Sequence, residues 1–171
     1  MSAASETLAG LRRQLAERFP TAPRAPGRTL ATGIPSLDEL TGGLPLAAVT
    51  ELVCAAPSCG GQLFLGQLLA ATRATRTRVA LIDATDAFDP GSLAADQLPH
   101  LVWVRCPPET VPADRKKSAT TLALQAADLL ARDANLGLVV LDLRHAPESD
   151  LRNIPGPQWY RLQRAVQPTH L

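Results

Sequence analysis

Glu51-Leu-Val-Cys-Ala-Ala-Pro-Ser-Cys-Gly-Gly-Gln-Leu-Phe-Leu65 is the stretch that decides how this chain is read. An apolar run, a turn of small residues and a second apolar run give the layout of a phosphate-binding loop between a strand and a helix. A loop of that kind reads G-x-x-x-x-G-K-[ST]: the lysine reaches the terminal phosphates and the hydroxyl ligates a magnesium ion. Here Ala55 stands at the first glycine, Gly60 keeps the second, Gly61 replaces the lysine and Gln62 replaces the hydroxyl residue. Alanine also adds a β-carbon where the backbone often needs positive φ. The layout persists without its chemistry. Ser58, Cys59, Gly60 and Gly61 still precede a helix whose first N–H groups attract anions. They form either a weak phosphate or nucleotide site or a tight turn with no ligand, and the turn is the preferred reading. Cys59 is correspondingly either a thiol of lowered pKa at a helix end or a packed, inert one.

Outward from the loop, short apolar runs at 49–53, 79–83, 101–105 and 138–142 read as strands. Residues 62–73, 118–132 and 158–166 read as helices, with Leu122, Ala126, Leu129 and Leu130 of the second facing inward. Strands that are nearly continuously apolar and alternate with helices predict an α/β fold, a mostly parallel sheet with helices on both faces. Two of the strands end in carboxylates, Asp83 and Asp142. A short helix beginning in Thr32-Gly-Ile-Pro-Ser-Leu-Asp38 stops at Gly42-Gly43. Ahead of this core, taken as residues 29–171, Leu8, Leu11, Leu15 and Phe19 line one stripe of an amphipathic helix within residues 1–19. Ser5 caps it and Pro20 ends it. Residues 20–28, with three prolines and a glycine, form a linker. A helix joined in this way packs on its own domain or docks on a neighbour. Residues 107–117, with three prolines and Arg115-Lys-Lys117, are a solvated connection or an arm that touches DNA or a partner.

Composition narrows the function classes. The chain has 171 residues, 46% hydrophobic and 19% charged, which suits one globular domain rather than a disordered segment. A net charge of +1 does not advertise nucleic-acid binding, although 15 Arg against 2 Lys leaves phosphate contacts open. Cys54, Cys59 and Cys106 are odd in number and lack metal-ligand spacing, and His100, His145 and His170 are dispersed. Neither a metal site nor a disulfide framework is expected. No segment approaches the roughly 20 apolar residues that span a bilayer, and the N-terminus lacks a secretory pattern. The expected location is cytoplasmic, without a membrane.

The order of these motifs resembles the RecA recombinase core. Thr32-Gly-x-x-Ser-Leu-Asp38, Gly42-Gly-Leu-Pro45 and Thr50-Glu51 match the entry to that core. Ile82-Asp-Ala-Thr-Asp-Ala-Phe-Asp-Pro90 is similar to its segment I-D-A-E-x-A-x-D-P. The strand ending at Asp142 falls where the family has its second acidic nucleotide-site motif. The resemblance covers about residues 30–145, and its specificity lies in several motifs in the right order and spacing. It implies a RecA-like core of the P-loop NTPase type.

Departures from the family carry the functional reading. The family's catalytic glutamate falls on Thr85, which has no acid–base capacity at neutral pH. Asp89 matches a base-contacting position. Asp142 either holds a magnesium ion or caps a turn, and Asp83 is read as structural. Losing lysine, hydroxyl and glutamate together removes positioning, metal and base from phosphoryl transfer. The chain is therefore expected not to be an ATPase and to need no cofactor, with ATP and magnesium left as an open alternative. The sequence ends soon after helix 158–166, before the family's DNA-binding loops, which implies a minimal or truncated core and no strand exchange. Trp159 and Tyr160 serve either as packing aromatics or as stacking groups for nucleic acid.

A RecA-like core without its ATPase resembles the ImuA family of accessory proteins in damage-induced mutagenesis. That resemblance implies contacts with subunits of a translesion polymerase complex, a nucleoid-associated location, and DNA contact that is indirect or weak. Leu8, Leu11, Leu15 and Phe19 would supply the partner-binding face or a self-association face. Two alternatives stay open: a cell-division inhibitor resembling SulA, and a recombination protein that binds ATP and single-stranded DNA.

Overall fold

Every residue of β3, Val79–Asp83, is buried, as expected of a strand covered on both faces. The protein's structure, a computed structural model, describes residues 27–53, 59–106, 118–169 and 171, together with Gln14 and Arg18. The described elements run β1 (Thr29–Leu30), α1 (Pro35–Thr41), β2 (Leu44–Pro45), α2 (Gly61–Ala74), β3, β4 (Leu101–Arg105), α3 (Ala119–Leu130), β5 (Leu138–Asp142), α4 (Glu148–Arg152) and α5 (Gly156–Val166). Leu8, Leu11, Leu15 and Phe19, most of the 20–28 linker, Ala55, Ser58 and the 107–117 segment lie outside the described residues.

The main sheet has the order β4-β3-β5, and both pairings are parallel. Alternation along β3 divides the core in two. Val79 and Leu81 pack with Leu65 and Leu69 of α2 and with Phe88. Ala80 and Ile82 pack on the other face with Ala123 and Ala127 of α3 and with Leu162 and Ala165 of α5. Full burial of a side chain such as Leu69, Leu81 or Ile82 contributes roughly 1.5–3 kcal/mol. The alanines let α3 and α5 lie close to the sheet. The α/β class, the parallel sheet and its cover on both faces thus agree with the sequence. β1 and β2 form a separate antiparallel pair.

Three expectations are corrected. Residues 49–53 are not a strand: they pair with none of the sheet's strands, and Val49, Leu52 and Val53 are exposed. The donors near this run are used elsewhere, since Val49 N–H donates to Gln163 Oε1 at 3.0 Å and Ala47 N–H to the Leu171 carbonyl. A side chain of α5 and the chain end take the place of a neighbouring strand. Helix α3 keeps its predicted inward side only in part, since Ala126 and Leu130 pack against the core whereas Leu129 does not. Its buried residues are Thr120, Ala123, Leu124 and Ala127, Leu122, Ala126 and Leu130 are half-buried, and Leu129 is 72% exposed. The small face wins the sheet because it permits closer approach. Finally, α5 begins at Gly156 rather than at 158, with Pro157 in its first turn, where proline's missing N–H costs nothing.

Candidate functional site

The C-terminal ends of parallel strands and the start of the following helix are where open α/β sheets bind ligands. In this chain that edge gathers β3, β5 and the first turn of α2. Gly60 caps α2 in the left-handed region at φ +92°, where a β-carbon is disfavoured, and its carbonyl accepts the first helical bond from Phe64 N–H at 2.8 Å. Cys59, just before it, is exposed. Gly61 opens the helix, at the position that a phosphate-binding lysine would occupy.

Arg144 reaches the start of α2 from another part of the chain. A β-carbon on Gly61 would stand 2.5 Å from Arg144 Nη1 and 2.9 Å from its Cδ, so the guanidinium lies across the start of α2. The same group holds Asp142. Arg144 Nε donates to both carboxylate oxygens at 3.0 and 3.1 Å, Nη2 donates to Oδ2 at 2.6 Å, and the backbone N–H reaches Oδ1 at 3.1 Å. Asp142 is 5% exposed. A charge-assisted, two-pronged contact of this kind is among the stronger polar interactions available to a carboxylate.

Asp83 is placed beside Asp142 by strand register, and Ala84 N–H donates to the Asp142 carbonyl at 3.2 Å. Its own carboxylate is buried and spoken for. Ala87 and Phe88 N–H groups donate to it at 2.9 Å each, Thr85 N–H at 3.4 Å and Trp103 Nε1 at 3.3 Å. This carboxylate organises the turn after β3, as a strand-end aspartate does. Trp103 is fixed in turn, edge-on to Phe88 at 5.2 Å between ring centroids, with Arg105 4.9 Å above its ring. Arg105 also pairs with Asp86, and that guanidinium, through its hydrogen bond before its charge, holds the Asp86 carboxyl below the ordinary range. Thr85 carries a buried hydroxyl that finds no partner. Burial, and then the charge of Asp83, push the Cys106 thiol up, which suits an inert packed group.

Gln62, at the hydroxyl position, turns to the other side. Its amide donates to the Asp89 carbonyl and to Ser92 Oγ, each at 3.1 Å. Asp89 is exposed and its side chain accepts from Gly91 N–H at 2.9 Å, closing the turn Pro90–Ser92. The structure therefore brings Gly61 to Asp142 through Arg144, and Gln62 to Asp89, while Ala55 and Ser58 lie outside the described residues.

These donors do not fit a magnesium ion. The oxygens of Asp142 face a guanidinium and those of Asp83 face N–H groups, so a cation would meet positive charge or hydrogen-bond donors at both. Among the described residues no group of three or more His, Cys, Asp or Glu is placed to hold a metal, and no helix is long and apolar enough to cross a membrane. A groove of 760 Å³ lies elsewhere, between α3 and the α4–α5 segment, lined by Leu124, Asp128, Ile154 and Arg161 among others. Among the described residues, none of the site residues expected from sequence lines it. Arg144 was not among those expected residues. Its only sequence signal is its place two residues beyond a strand-end aspartate. No family model matches the chain, and no curated protein matches it.

Proposed function

We propose that this chain is a non-hydrolysing RecA-like protein that works through protein contacts in the bacterial response to DNA damage, as an accessory to a translesion synthesis complex. The support begins with the ordered motifs of residues 30–145, and a parallel sheet covered on both faces agrees with them at the level of fold class. The observation that carries the reading is the Arg144 guanidinium, clamped on Asp142 and lying over Gly61. A site that turns over nucleotide needs a cation to follow the transferring phosphate and a base to activate water. Here the cation is neutralised by its own carboxylate, and the base position holds Thr85. What such a core offers is shape, presented to partners, with Leu8, Leu11, Leu15 and Phe19 as the contacting stripe that the sequence suggests.

The test has two arms. The purified chain with magnesium and ATP should release no phosphate above a no-protein control. Co-expressed with the subunits of a translesion polymerase complex, it should co-purify with them, and Leu11→Asp with Leu15→Asp should abolish that association. Phosphate turnover that disappears in an Asp142→Asn variant, or failure to associate with any of those subunits, overturns the proposal.

A further inference from the structure

Helix α5 carries a second surface that the proposed function does not use. Its inward side is Leu162, Ala165 and Val166, packed in the core with Ala123 and Ala127. Its outward side presents Trp159 and Tyr160, 39% and 75% exposed. The chain has six aromatic residues, and these two are the only ones in the exposed class among the described residues. Phe88 and Trp103, by contrast, pack against each other beneath Arg105. Leaving two adjacent large rings in water is unfavourable, so their position calls for a reason.

Charge narrows the choice of partner. Helix α5 contains Arg161 and Arg164 and no carboxylate. Arg164 lies one turn beyond Tyr160, on the same stripe of the helix. No ion pair engages Arg164 among the described residues, and Arg161, though paired with Asp128 at 2.9 Å, keeps 63% of its side chain exposed. Gln167 continues the same face with an exposed amide, whereas the Gln163 amide is taken up by Val49 N–H and the Ala47 carbonyl. Flat aromatic rings flanked by guanidinium groups on a convex, polar helix match stacked bases and the phosphates that link them. A purely apolar partner would leave Arg164 without a counter-charge, whereas Arg161 keeps Asp128.

We infer that the Trp159–Tyr160–Arg164 face of α5 binds single-stranded nucleic acid, with bases stacked on the two rings and phosphate held by the arginines. The contact is independent of the accessory reading, which rests on the Arg144 clamp, so failure of one leaves the other standing.

The experiment is anisotropy of a fluorescein-labelled oligothymidylate of about 20 nucleotides, titrated with the full chain at low salt and again at raised salt. Saturable binding is expected, weaker for a duplex of the same length. Tyr160→Ala should weaken it by about fivefold to about a hundredfold, and Trp159→Ala likewise, while Trp159→Phe keeps most of it. Arg164→Gln should reduce the slope of log affinity against log salt by about 0.7. Circular dichroism checks that each variant is folded, and Tyr160→Ala, the most exposed position, keeps the test valid if Trp159→Ala unfolds. An oligouridylate arm separates RNA from DNA, and binding to either supports the face. Absence of saturable binding, equal affinity for duplex, or binding unchanged in both Tyr160→Ala and Arg164→Gln overturns the inference. Loss of self-association in Tyr160→Ala, with oligonucleotide binding untouched, overturns it in favour of a protein contact.

Discussion

Arg144 and Gly61 are matched in shape: the guanidinium that clamps Asp142 at 2.6 Å occupies the space a Gly61 β-carbon would need. This gives a thermodynamic cycle. Arg144→Ala leaves a carboxylate that is 5% exposed with only a backbone N–H, and because Arg144 itself is partly in solvent the expected loss is about 2–3 kcal/mol in urea unfolding. Gly61→Ala should cost about 1 kcal/mol in the wild type, where Arg144 must move aside. In the Arg144→Ala background the same change should cost nothing, since alanine then has room and favours helix. Equal costs in the two backgrounds would show that the close approach does not exist in solution.

Asp83 carries the turn after β3, and its two oxygens serve three backbone donors and the Trp103 indole. Asp83→Ala strips four donors of their acceptor in a buried place and should destabilise the fold by about 3–5 kcal/mol. Asp83→Asn keeps one accepting oxygen but turns an NH₂ group toward N–H donors, so it should fall between the two. Tryptophan fluorescence should report the change directly, because Trp103 loses its partner. If Asp83→Ala unfolds at the same urea concentration as the wild type, the carboxylate is not the organiser described above.

How much of this was legible beforehand depends on where each signal lives. The runs at 79–83, 101–105 and 138–142 became strands with those bounds, because a short apolar run beside a parallel neighbour satisfies its backbone in a ladder, although only 79–83 is buried throughout and Val102 is half exposed. Residues 49–53 did not: their apolar pattern is broken by Thr50 and Glu51. Pattern reports what a segment would bury, and a ladder also needs a neighbour, which Gln163 replaced at Val49. In α3, counting leucines pointed to Leu129, whereas the sheet took Ala123 and Ala127 because a close helix-to-sheet contact rewards small side chains. The glycines at 60 and 61 and the two strand-end aspartates could be located from sequence alone. Arg144 could not, because its contact joins a strand end to a helix start 83 positions earlier through tertiary placement.

Arg76 follows the last turn of α2 with φ +56°, in the left-handed region where glycine is the favoured helix-ending residue. Its side chain is exposed, and none of the ion pairs among the described residues involves it. Arg76→Gly should therefore raise stability by about 0.5–1 kcal/mol, the relief of a β-carbon penalty exceeding the added freedom of the unfolded chain. A lower urea midpoint for this variant would mean that the arginine makes a contact that matters more than its backbone strain.

His100 gives the fold a pH dependence whose sign can be worked out. Its Nε2 lies 2.9 Å from Thr72 Oγ1, whose own proton goes to the Leu68 carbonyl at 2.8 Å, so the imidazole Nε2–H donates and Nδ1 is the bare nitrogen. That Nδ1 is buried and has no partner. Protonating it would create a buried donor with no acceptor near Arg73, and burial first, then the Arg73 charge, lower the His100 pKa below its ordinary value. The unfolded chain therefore binds this proton more readily than the folded one. The stability contribution is fully present above the unfolded pKa of about 6.5 and is lost as pH falls below it toward the folded value. Urea unfolding at about pH 7.5 and at about pH 5.5 should show a lower midpoint in acid, and His100→Gln should shrink that difference while other groups keep their share. A midpoint difference as large in His100→Gln as in the wild type would move the acid sensitivity to another group.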